Sequence, residues 1–176
     1  MSKEAVAVLG GGCFWCLEAA FQTLPGVIQV ESGYAGGSRE HPSYEQVCTG
    51  LTGHAEVVRV VFDPERLPYR RLLEYFFGIH DPTTEDRQGA DIGSQYRSII
   101  LYTDENQGQE AEVFIKDQAV NYRNPIVSDV VPLSKFWPAE PEHQDFFRRN
   151  PDYGYCRMVV RPKVDKIRKL IETQTV

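Results

Sequence analysis

The feature of this sequence that most constrains its fold is a short apolar run that ends in three consecutive glycines. Residues 5–9 are apolar, Gly10, Gly11 and Gly12 follow, and apolar residues then recur at helical spacing as far as residue 24. The run predicts a strand, the glycines a tight turn, and the spacing a helix that starts directly after the turn. Cys13 stands at the junction between that turn and the helix.

Apolar patterns typical of strands and helices alternate along the rest of the chain. Further strands are predicted at residues 27–34, 57–62, 98–102 and 126–131. One further helix is predicted to begin at Asp63-Pro64 and to reach Ile79, and another to be capped by Thr103 and to reach about Val120. The remaining segments are predicted as a polar loop over 80–97, an irregular stretch rich in proline and aromatic residues over 132–156, and a C-terminal helix that Pro162 opens.

The order of these elements is strand–helix–strand followed by a second strand–helix–strand, which is the pattern of a ferredoxin-like core. We therefore predict an α+β fold: a single two-layer sandwich domain over residues 1–176, with a ferredoxin-like β-α-β-β-α-β core and a long irregular C-terminal segment. The pattern alone leaves other α/β arrangements open.

Charge and hydropathy exclude several classes of protein. The formal net charge is −6, which argues against a nucleic-acid-binding protein because such affinity depends on Lys and Arg. No apolar run is long enough to span a membrane, and the N-terminus lacks the apolar stretch of a secretory signal, so we expect a cytoplasmic protein. The basic residues between 157 and 169 are interpreted as the solvated face of the C-terminal helix, opposite Val164, Ile167 and Ile171.

Cys13 and Cys16 form a Cys-x-x-Cys motif at the predicted helix start. Unpaired backbone N–H groups and the helix dipole favour a thiolate at Cys13, as a nucleophile requires, although a buried inert cysteine has a similar local sequence. The spacing also suits a dithiol pair or half of a zinc site completed by Cys48, His41 or His54. No second Cys-x-x-Cys follows, so we expect no metal.

Six motifs give the chain a resemblance to the A-type peptide methionine sulfoxide reductases. They are Gly12-Cys13-Phe14-Trp15, Ser32-Gly33-Tyr34-Ala35-Gly36-Gly37, Tyr44-Glu45-Gln46-Val47, Gly53-His54-Ala55-Glu56, Asp91-Ile92-Gly93-Ser94-Gln95-Tyr96-Arg97-Ser98 and Phe136-Trp137-Pro138-Ala139-Glu140. The resemblance covers nearly the whole chain. It implies a single α+β domain that reduces methionine S-sulfoxide to methionine without a cofactor.

The resemblance also implies roles for the motif residues. Cys13 would attack the sulfoxide sulfur, and Glu56 would protonate the departing oxygen, a role that suits a partly buried carboxyl with a raised pKa. Phe14 and Trp15 would form the wall of the substrate pocket that receives the methyl group. The hydroxyls of Tyr44 and Tyr96 would hold the oxygen, and Asp91 would lie near the substrate amide. His54 and His80 are interpreted as structural hydrogen-bonding residues.

Attack by Cys13 would leave a sulfenic acid that a second thiol converts to a disulfide. Cys156 is expected to be this resolving residue, carried by a mobile, turn-rich loop over 150–155, with thioredoxin as the external reductant of a monomeric enzyme. Cys16 is a possible additional redox residue, disfavoured because a disulfide within one helical turn would need local unwinding. Cys48 is expected to be a small structural residue. The alternatives are a thiol-disulfide oxidoreductase that uses Cys13 and Cys16, and a metal- or peptide-binding module.

Overall fold

A computed structural model describes residues 4–174 of the chain. The strands are β1 Ala5–Gly10, β2 Val27–Ala35, β3 Ala55–Phe62, β4 Arg87–Gln88, β5 Asp91–Ile92, β6 Ile99–Tyr102, β7 Asp129–Pro132 and β8 Trp137–Pro138. The α-helices are α1 Phe14–Phe21, α2 Tyr44–Cys48, α3 Tyr69–Ile79, α4 Glu105–Gln118, α5 Phe146–Arg149 and α6 Arg161–Gln174. Within the described residues, none of the helices combines the length and the apolar character needed to cross a bilayer.

Six of the strands form one sheet in the order β7-β6-β1-β3-β2-β8. All neighbouring strands are antiparallel except β6 and β7, which are parallel. Strands β4 and β5 form a separate hairpin. Helix α6 packs against α1 and α3, and α1 packs on β2 and β3. The architecture is therefore a mixed α/β domain with a six-stranded sheet, which agrees with the predicted mixture of elements.

The sheet is buried on both faces around its central strand. Ala7 and Leu9 of β1 belong to the main core, which the helices share, whereas Val8 belongs to a smaller cluster on the other face with Val57 and Leu101. This division follows from the alternation of side chains along a strand. Because both faces of β1 are packed, the turn that follows the strand leaves the sheet from a fixed position.

The second long helix begins later than the sequence predicts. The chain at Asp63-Pro64 forms a turn in which Leu67 N donates to Asp63 O over 2.8 Å, and α3 starts only at Tyr69, after Pro68. Asp63 N also donates to Gly26 O over 2.8 Å, which holds the turn beside the start of β2. The Asp63 carboxylate still caps this turn by accepting a hydrogen bond of 3.0 Å from Glu65 N, but the turn does not continue into a helix before Pro68.

Other boundaries also differ from the predicted ones. Helix α4 is capped by Asp104 rather than Thr103, because the Asp104 carboxylate accepts a hydrogen bond of 2.9 Å from Gln107 N. The strand predicted over 126–131 is β7. The segment predicted as a plain loop over 80–97 contains the β4–β5 hairpin and a 3₁₀ turn at Ser94–Tyr96.

The prediction for the C-terminal segment is wrong at its end. The chain is irregular over residues 133–145, apart from β8 and a 3₁₀ turn, but Cys156 lies in a helical segment that already includes Gly154 and Tyr155. It begins a π-helical turn, Cys156–Val160, that leads directly into α6. This arrangement buries Cys156, Val160 and Val164 in the main core. A widened turn also accommodates Pro162, whose ring and missing N–H disrupt regular α-helical hydrogen bonding.

Candidate active site

The turn between β1 and α1 places Cys13 at the N-cap of the helix, as the glycines predict. Gly12 has a φ of 89°, and a Cβ atom on Gly11 would lie 2.7 Å from the His80 ring, so both positions require glycine. Cys13 itself has extended backbone angles, φ −67° and ψ 131°, and precedes the first helical residue. Its sulfur therefore belongs to the turn rather than to the helix.

Glu56 approaches this turn from β3. It is 1% exposed, and its Oε1 atom accepts a hydrogen bond of 3.0 Å from the backbone N–H of Phe14, the residue after Cys13. Burial raises the pKa of Glu56 to about 8, although the hydrogen bond from Phe14 acts in the opposite direction. The carboxyl is consequently protonated at neutral pH and can donate a proton beside Cys13.

Cys13 keeps its proton in the free protein, contrary to the sequence-based prediction. The residue is 8% exposed, and burial raises the pKa of its thiol well above the ordinary value, with further contributions from a hydrogen bond to Cys16 and from the charge of Glu56. The helix terminus favours a thiolate, but the loss of water around the sulfur outweighs it.

Cys16 is the partner of Cys13 in this hydrogen bond. Its side chain is fully buried, yet its pKa is lowered, first by the hydrogen bond from Cys13 and against the effect of burial. Cys13 lies at the N-cap, and the backbone N–H of Cys16 donates a hydrogen bond of 3.1 Å to Cys13 O, which keeps the two residues together at the first turn. Cys16 is therefore close to Cys13, as predicted, while the expectation that a disulfide between them needs local unwinding of the helix stays a prediction.

Cys156 reaches the same region from the π-helical turn. It is fully buried, and its pKa is raised by burial and then by the charge of Cys16. Cys16 thus acts on the pKa of both other buried cysteines, through a hydrogen bond on Cys13 and through its charge on Cys156. Cys48, in contrast, is exposed at the end of α2, and its side chain hydrogen-bonds that of Tyr44, so the interpretation of Cys48 as a small structural residue is wrong.

The two predicted tyrosines lie near Glu56. Tyr44 begins α2, which Ser43 and Gln46 fix through a capping box, and Tyr96 lies in the 3₁₀ turn before β6. Burial raises the pKa of both phenols, and the charge of Glu56 raises both further. The charge of Cys13 also acts on Tyr96. Both hydroxyls therefore remain protonated, and that of Tyr44 interacts with the Cys48 thiol.

Comparison with known proteins identifies the family. A family model described as peptide methionine sulfoxide reductase matches residues 5–175. The peptide methionine sulfoxide reductase MsrA of Thermus thermophilus is 52% identical over 170 residues, which cover 97% of this chain and 97% of that protein. The chain belongs to the peptide methionine sulfoxide reductase family.

Solved structures agree with this assignment to the A type. Reduced Mxr1 from Saccharomyces cerevisiae matches with a TM-score of 0.83 at 33% identity, over 88% of this chain and 90% of that one. Methionine sulfoxide reductase A of Corynebacterium diphtheriae matches with a TM-score of 0.83 at 35% identity, over 88% and 78%. Mxr1 has also been solved in complex with Trx2.

The reductase surrounds Trp15 with aromatic rings that the sequence analysis did not single out. Phe146 stacks on Trp15 with 3.8 Å between ring centroids, and His143 lies 5.8 Å from Trp15 and 4.4 Å from Tyr44. Phe14 is fully buried against Tyr44 and His143. The only available signal was the density of aromatic residues over 136–155, because their contacts with α1 are set by the tertiary fold.

Two more residues of the reductase escaped the sequence analysis. The Tyr155 hydroxyl donates a hydrogen bond to Asp91 Oδ2, which links the β5 hairpin to the helical turn of Cys156. Lys163 was assigned to the solvated face of α6, but it is half-buried, and its Nζ atom lies 3.7 Å from the position of a Cβ on Gly12. Neither contact has a signature in the local sequence.

The two histidines of the motifs are structural, as predicted. His54 Nδ1 accepts a hydrogen bond of 3.0 Å from Gly37 N, and its Nε2 lies 2.7 Å from Arg39 O. His80 hydrogen-bonds Phe76 O and the Ser98 hydroxyl through its two ring nitrogens. Burial lowers the pKa of His80 to about 4, so this ring is neutral where it supports Gly11.

Among the described residues, the candidate zinc ligands Cys13, Cys16, Cys48, His41 and His54 do not form a group of three or more whose ligand atoms lie close together. Among residues 4–174, the group whose ligand atoms lie within 4.8 Å of one another is Glu140, Glu142 and His143. Both oxygens of Glu140 already accept hydrogen bonds, from the Tyr34 hydroxyl and from Tyr44 N, each over 2.9 Å. These contacts give the Glu140 carboxylate a structural role in holding α2 against the sheet.

Proposed function

We propose that this reductase converts methionine S-sulfoxide, free or within proteins, into methionine, with Cys13 as the nucleophile and Glu56 as the proton donor. The observation that carries the proposal is the buried, protonated Glu56 carboxyl, held at 3.0 Å by the backbone N–H next to Cys13. A sulfoxide oxygen is a poor leaving group until it is protonated, and a general acid with a pKa near the working pH supplies that proton.

In the chemical step, the Cys13 sulfur attacks the sulfoxide sulfur while Glu56 protonates the oxygen. The sulfur–oxygen bond of the substrate breaks as a bond forms between the Cys13 and methionine sulfurs, and the oxygen leaves as water. A water molecule then attacks the Cys13 sulfur and breaks that sulfur–sulfur bond, which releases methionine, leaves a sulfenic acid on Cys13 and returns a proton to Glu56. Two electrons pass from the cysteine sulfur to the methionine sulfur, so the products are methionine and oxidised Cys13. The Cys13 proton, retained in the free protein, is the second proton of the water that leaves.

The pocket residues orient the substrate for this attack. Tyr44 and Tyr96 hold the sulfoxide oxygen through their hydroxyls, a role supported by their proximity to Glu56. The Trp15 ring, backed by Phe146, and Phe14 form the wall that receives the methyl group. Asp91 lies near the substrate amide, and its hydrogen bond from Tyr155 fixes the carboxylate there.

Regeneration proceeds through two disulfides in sequence. Cys16 attacks the Cys13 sulfenic acid, forming a Cys13–Cys16 disulfide and releasing water. Cys156 then attacks the Cys16 sulfur, which frees the Cys13 thiol and leaves a Cys16–Cys156 disulfide. The order is supported by the electrostatic interactions, since Cys16 hydrogen-bonds Cys13 and its charge also acts on Cys156, whereas Cys13 is not among the groups that shift the pKa of Cys156. Cys156 is thus the second resolving residue rather than the first.

An external dithiol protein of the thioredoxin type reduces the final disulfide. It becomes oxidised while both cysteines return to thiols, which completes the cycle without a cofactor. The complex of yeast Mxr1 with Trx2 supports this choice of reductant.

We also assign the centre of the sheet to a ferredoxin-like core. Strands β6, β1, β3 and β2 are adjacent in that order, and α1 and α3 connect β1 to β2 and β3 to the hairpin before β6. The antiparallel pairing of all four strands supports the assignment.

Turnover of the two separated sulfoxide epimers of one methionine peptide tests the proposed activity. With thioredoxin and its reductase as electron source, the S epimer is expected to be converted to methionine and the R epimer to remain. Conversion of the R epimer at a comparable rate, or failure to reduce the S epimer, would overturn the proposal. Reduction by dithiothreitol but not by thioredoxin would refute only the choice of reductant.

A further inference from the structure

Lys163 is the charged residue of α6 that turns toward the catalytic turn. It is half-buried, whereas Arg161, Asp165, Lys166, Arg168 and Lys169 are exposed. Its Nζ atom lies 3.7 Å from the position that a Cβ on Gly12 would occupy, and α6 packs against α1, which carries Cys16. The Lys163 ammonium therefore stands at the base of the Cys-x-x-Cys turn.

The Lys163 ammonium has no carboxylate partner that would neutralise it. None of the ion pairs found within residues 4–174 includes Lys163. A groove of about 690 Å³ is lined by Lys163 and Lys166 together with His80 and Gln88, whose side chains lie beside Gly11 and Gly12. The groove gives the Lys163 ammonium access to water, which limits the cost of its desolvation. The ammonium nevertheless stays close to the turn that carries Cys13.

The groups facing Cys16 come from every element packed around it. They are Cys13 from the turn, Glu56 from β3, Asp91 from β5, Tyr155 and Cys156 from the helical turn, and Lys163 from α6. Of these described groups, Lys163 is the one with a positive charge. Lys163 lowers the pKa of Cys16, after the larger effect of the Cys13 hydrogen bond, while burial and Asp91 raise it.

We propose that Lys163 is a positioning residue for regeneration: its ammonium stabilises the Cys16 thiolate that attacks oxidised Cys13. The inference rests on the proposed function, since it presupposes a Cys13 sulfenic acid. In this step the Cys16 thiolate forms the bond to the Cys13 sulfur, the sulfenic hydroxyl leaves, and a proton converts it to water. The cation acts on the attacking sulfur and not on the sulfoxide.

The expected effect is modest and depends on pH. If removal of the charge raises the pKa of Cys16 by about one unit, the thiolate fraction below that pKa falls about tenfold. The more basic thiolate is about threefold more nucleophilic, so the attack slows by roughly threefold. Above the pKa of the variant Cys16 the thiolate is fully formed in both proteins, so the defect disappears and the more nucleophilic variant attacks about threefold faster than wild type.

A quenched single turnover of the full chain with a methionine S-sulfoxide peptide, without reductant, tests the proposal. Released methionine is quantified by chromatography, and the sulfenic acid that persists is trapped by dimedone at each time and pH. Lys163→Gln removes the charge, Lys163→Arg retains it, and Lys166→Gln is the matched control one helical turn away. Conversion of the sulfenic acid to a disulfide is expected to be roughly threefold slower in Lys163→Gln below the pKa of Cys16 and about threefold faster than wild type at high pH.

The remaining outcomes separate this proposal from the proposed function. Lys163→Arg and Lys166→Gln are expected to form the disulfide at the wild-type rate. A Lys163→Gln rate equal to wild type at every pH, or a defect of the same size at every pH, would overturn the role of the charge. If Lys163→Gln does not fold, Lys163→Arg tests the charge instead. A Lys163→Arg variant that forms the disulfide as slowly as wild type does at low pH, where its thiols are protonated, would overturn the proposal as well. Absence of a methionine burst in the wild type would instead refute the proposed function.

Discussion

The backbone N–H of Phe14 donates a hydrogen bond of 3.0 Å to Oε1 of Glu56, a carboxyl that is 1% exposed. This bond joins the general acid to the residue after the nucleophile, so the acid and the Cys13 sulfur are held in a fixed relation. Because burial outweighs the bond, the carboxyl keeps its proton to about pH 8. The first two predictions follow from this geometry.

Replacement of Glu56 by glutamine should remove the proton donor and preserve the hydrogen bond from Phe14. We expect the rate of methionine release in a single turnover to fall by roughly 10²-fold or more, the usual effect of losing general acid catalysis. Rapid-quench measurement of methionine gives this rate directly. A variant that releases methionine at the wild-type rate at all pH values would contradict the assignment of Glu56 as the acid.

The pH dependence of the same step should carry the signature of Glu56. The acid form is required, and it is lost as pH rises through the carboxyl's pKa of about 8, so the wild-type rate of methionine release should decline above that pH. Glu56→Gln should lack the decline because it has no proton to lose. A decline that persists unchanged in Glu56→Gln would assign it to another group.

A second buried carboxyl, Glu18 on α1, should make stability depend on pH. Glu18 Oε1 accepts a hydrogen bond of 2.8 Å from Asp145 N, and burial raises the pKa of Glu18 from 4.5 to about 7. A carboxyl whose pKa is raised by folding stabilises the protein below its unfolded pKa, and that contribution is lost as pH rises through the folded value. The loss between about pH 4.5 and pH 8 is on the order of 3 kcal/mol.

Chemical denaturation of Glu18→Gln across this pH range tests the prediction. The stability of the variant relative to wild type should increase as pH rises, whereas Glu112→Gln, an exposed position on α4, should show no such trend. A constant difference between Glu18→Gln and wild type over the whole range would contradict the raised pKa of Glu18.

Disulfide mapping after one turnover without reductant should distinguish the resolving cysteines. Wild type is expected to yield the Cys16–Cys156 disulfide, and Cys156→Ser should stop at Cys13–Cys16. Cys16→Ser should release methionine but accumulate the Cys13 sulfenic acid. Cys48 should remain free in every digest and serves as the internal control. A Cys13–Cys156 disulfide as the main wild-type product, formed equally well in Cys16→Ser, would contradict the relay.

The sequence predicted most of what depends on local pattern and motif. The strand, glycine turn and helix around Cys13 are present, and the residues taken from the family resemblance, Cys13, Glu56, Tyr44 and Tyr96, meet at one site. Glycines at a turn and apolar periodicity act over a few residues, so their consequences can be inferred without a fold.

The properties that the sequence could not supply depend on contacts between distant segments. The thiol state of Cys13 is set by burial under groups more than forty residues away, which reverses the preference of the helix terminus. Pro151 and Gly154 predict a flexible turn before Cys156. In the fold, Cys156 instead begins a helical turn and is buried in the core with Val160 and Val164. Lys163 looked like a surface charge because its neighbours are surface charges.

The central claim is that the Cys13 sulfur is the atom oxidised to the sulfenic acid. Mass spectrometry of a single turnover tests it most directly. In the Cys16→Ser/Cys156→Ser variant, incubation with a methionine S-sulfoxide peptide should release one methionine per enzyme and leave a dimedone-reactive sulfenic acid on Cys13. Cys13→Ser should release none, even with excess dithiothreitol. Methionine released by Cys13→Ser, or a sulfenic acid found on Cys48 instead of Cys13, would contradict the account.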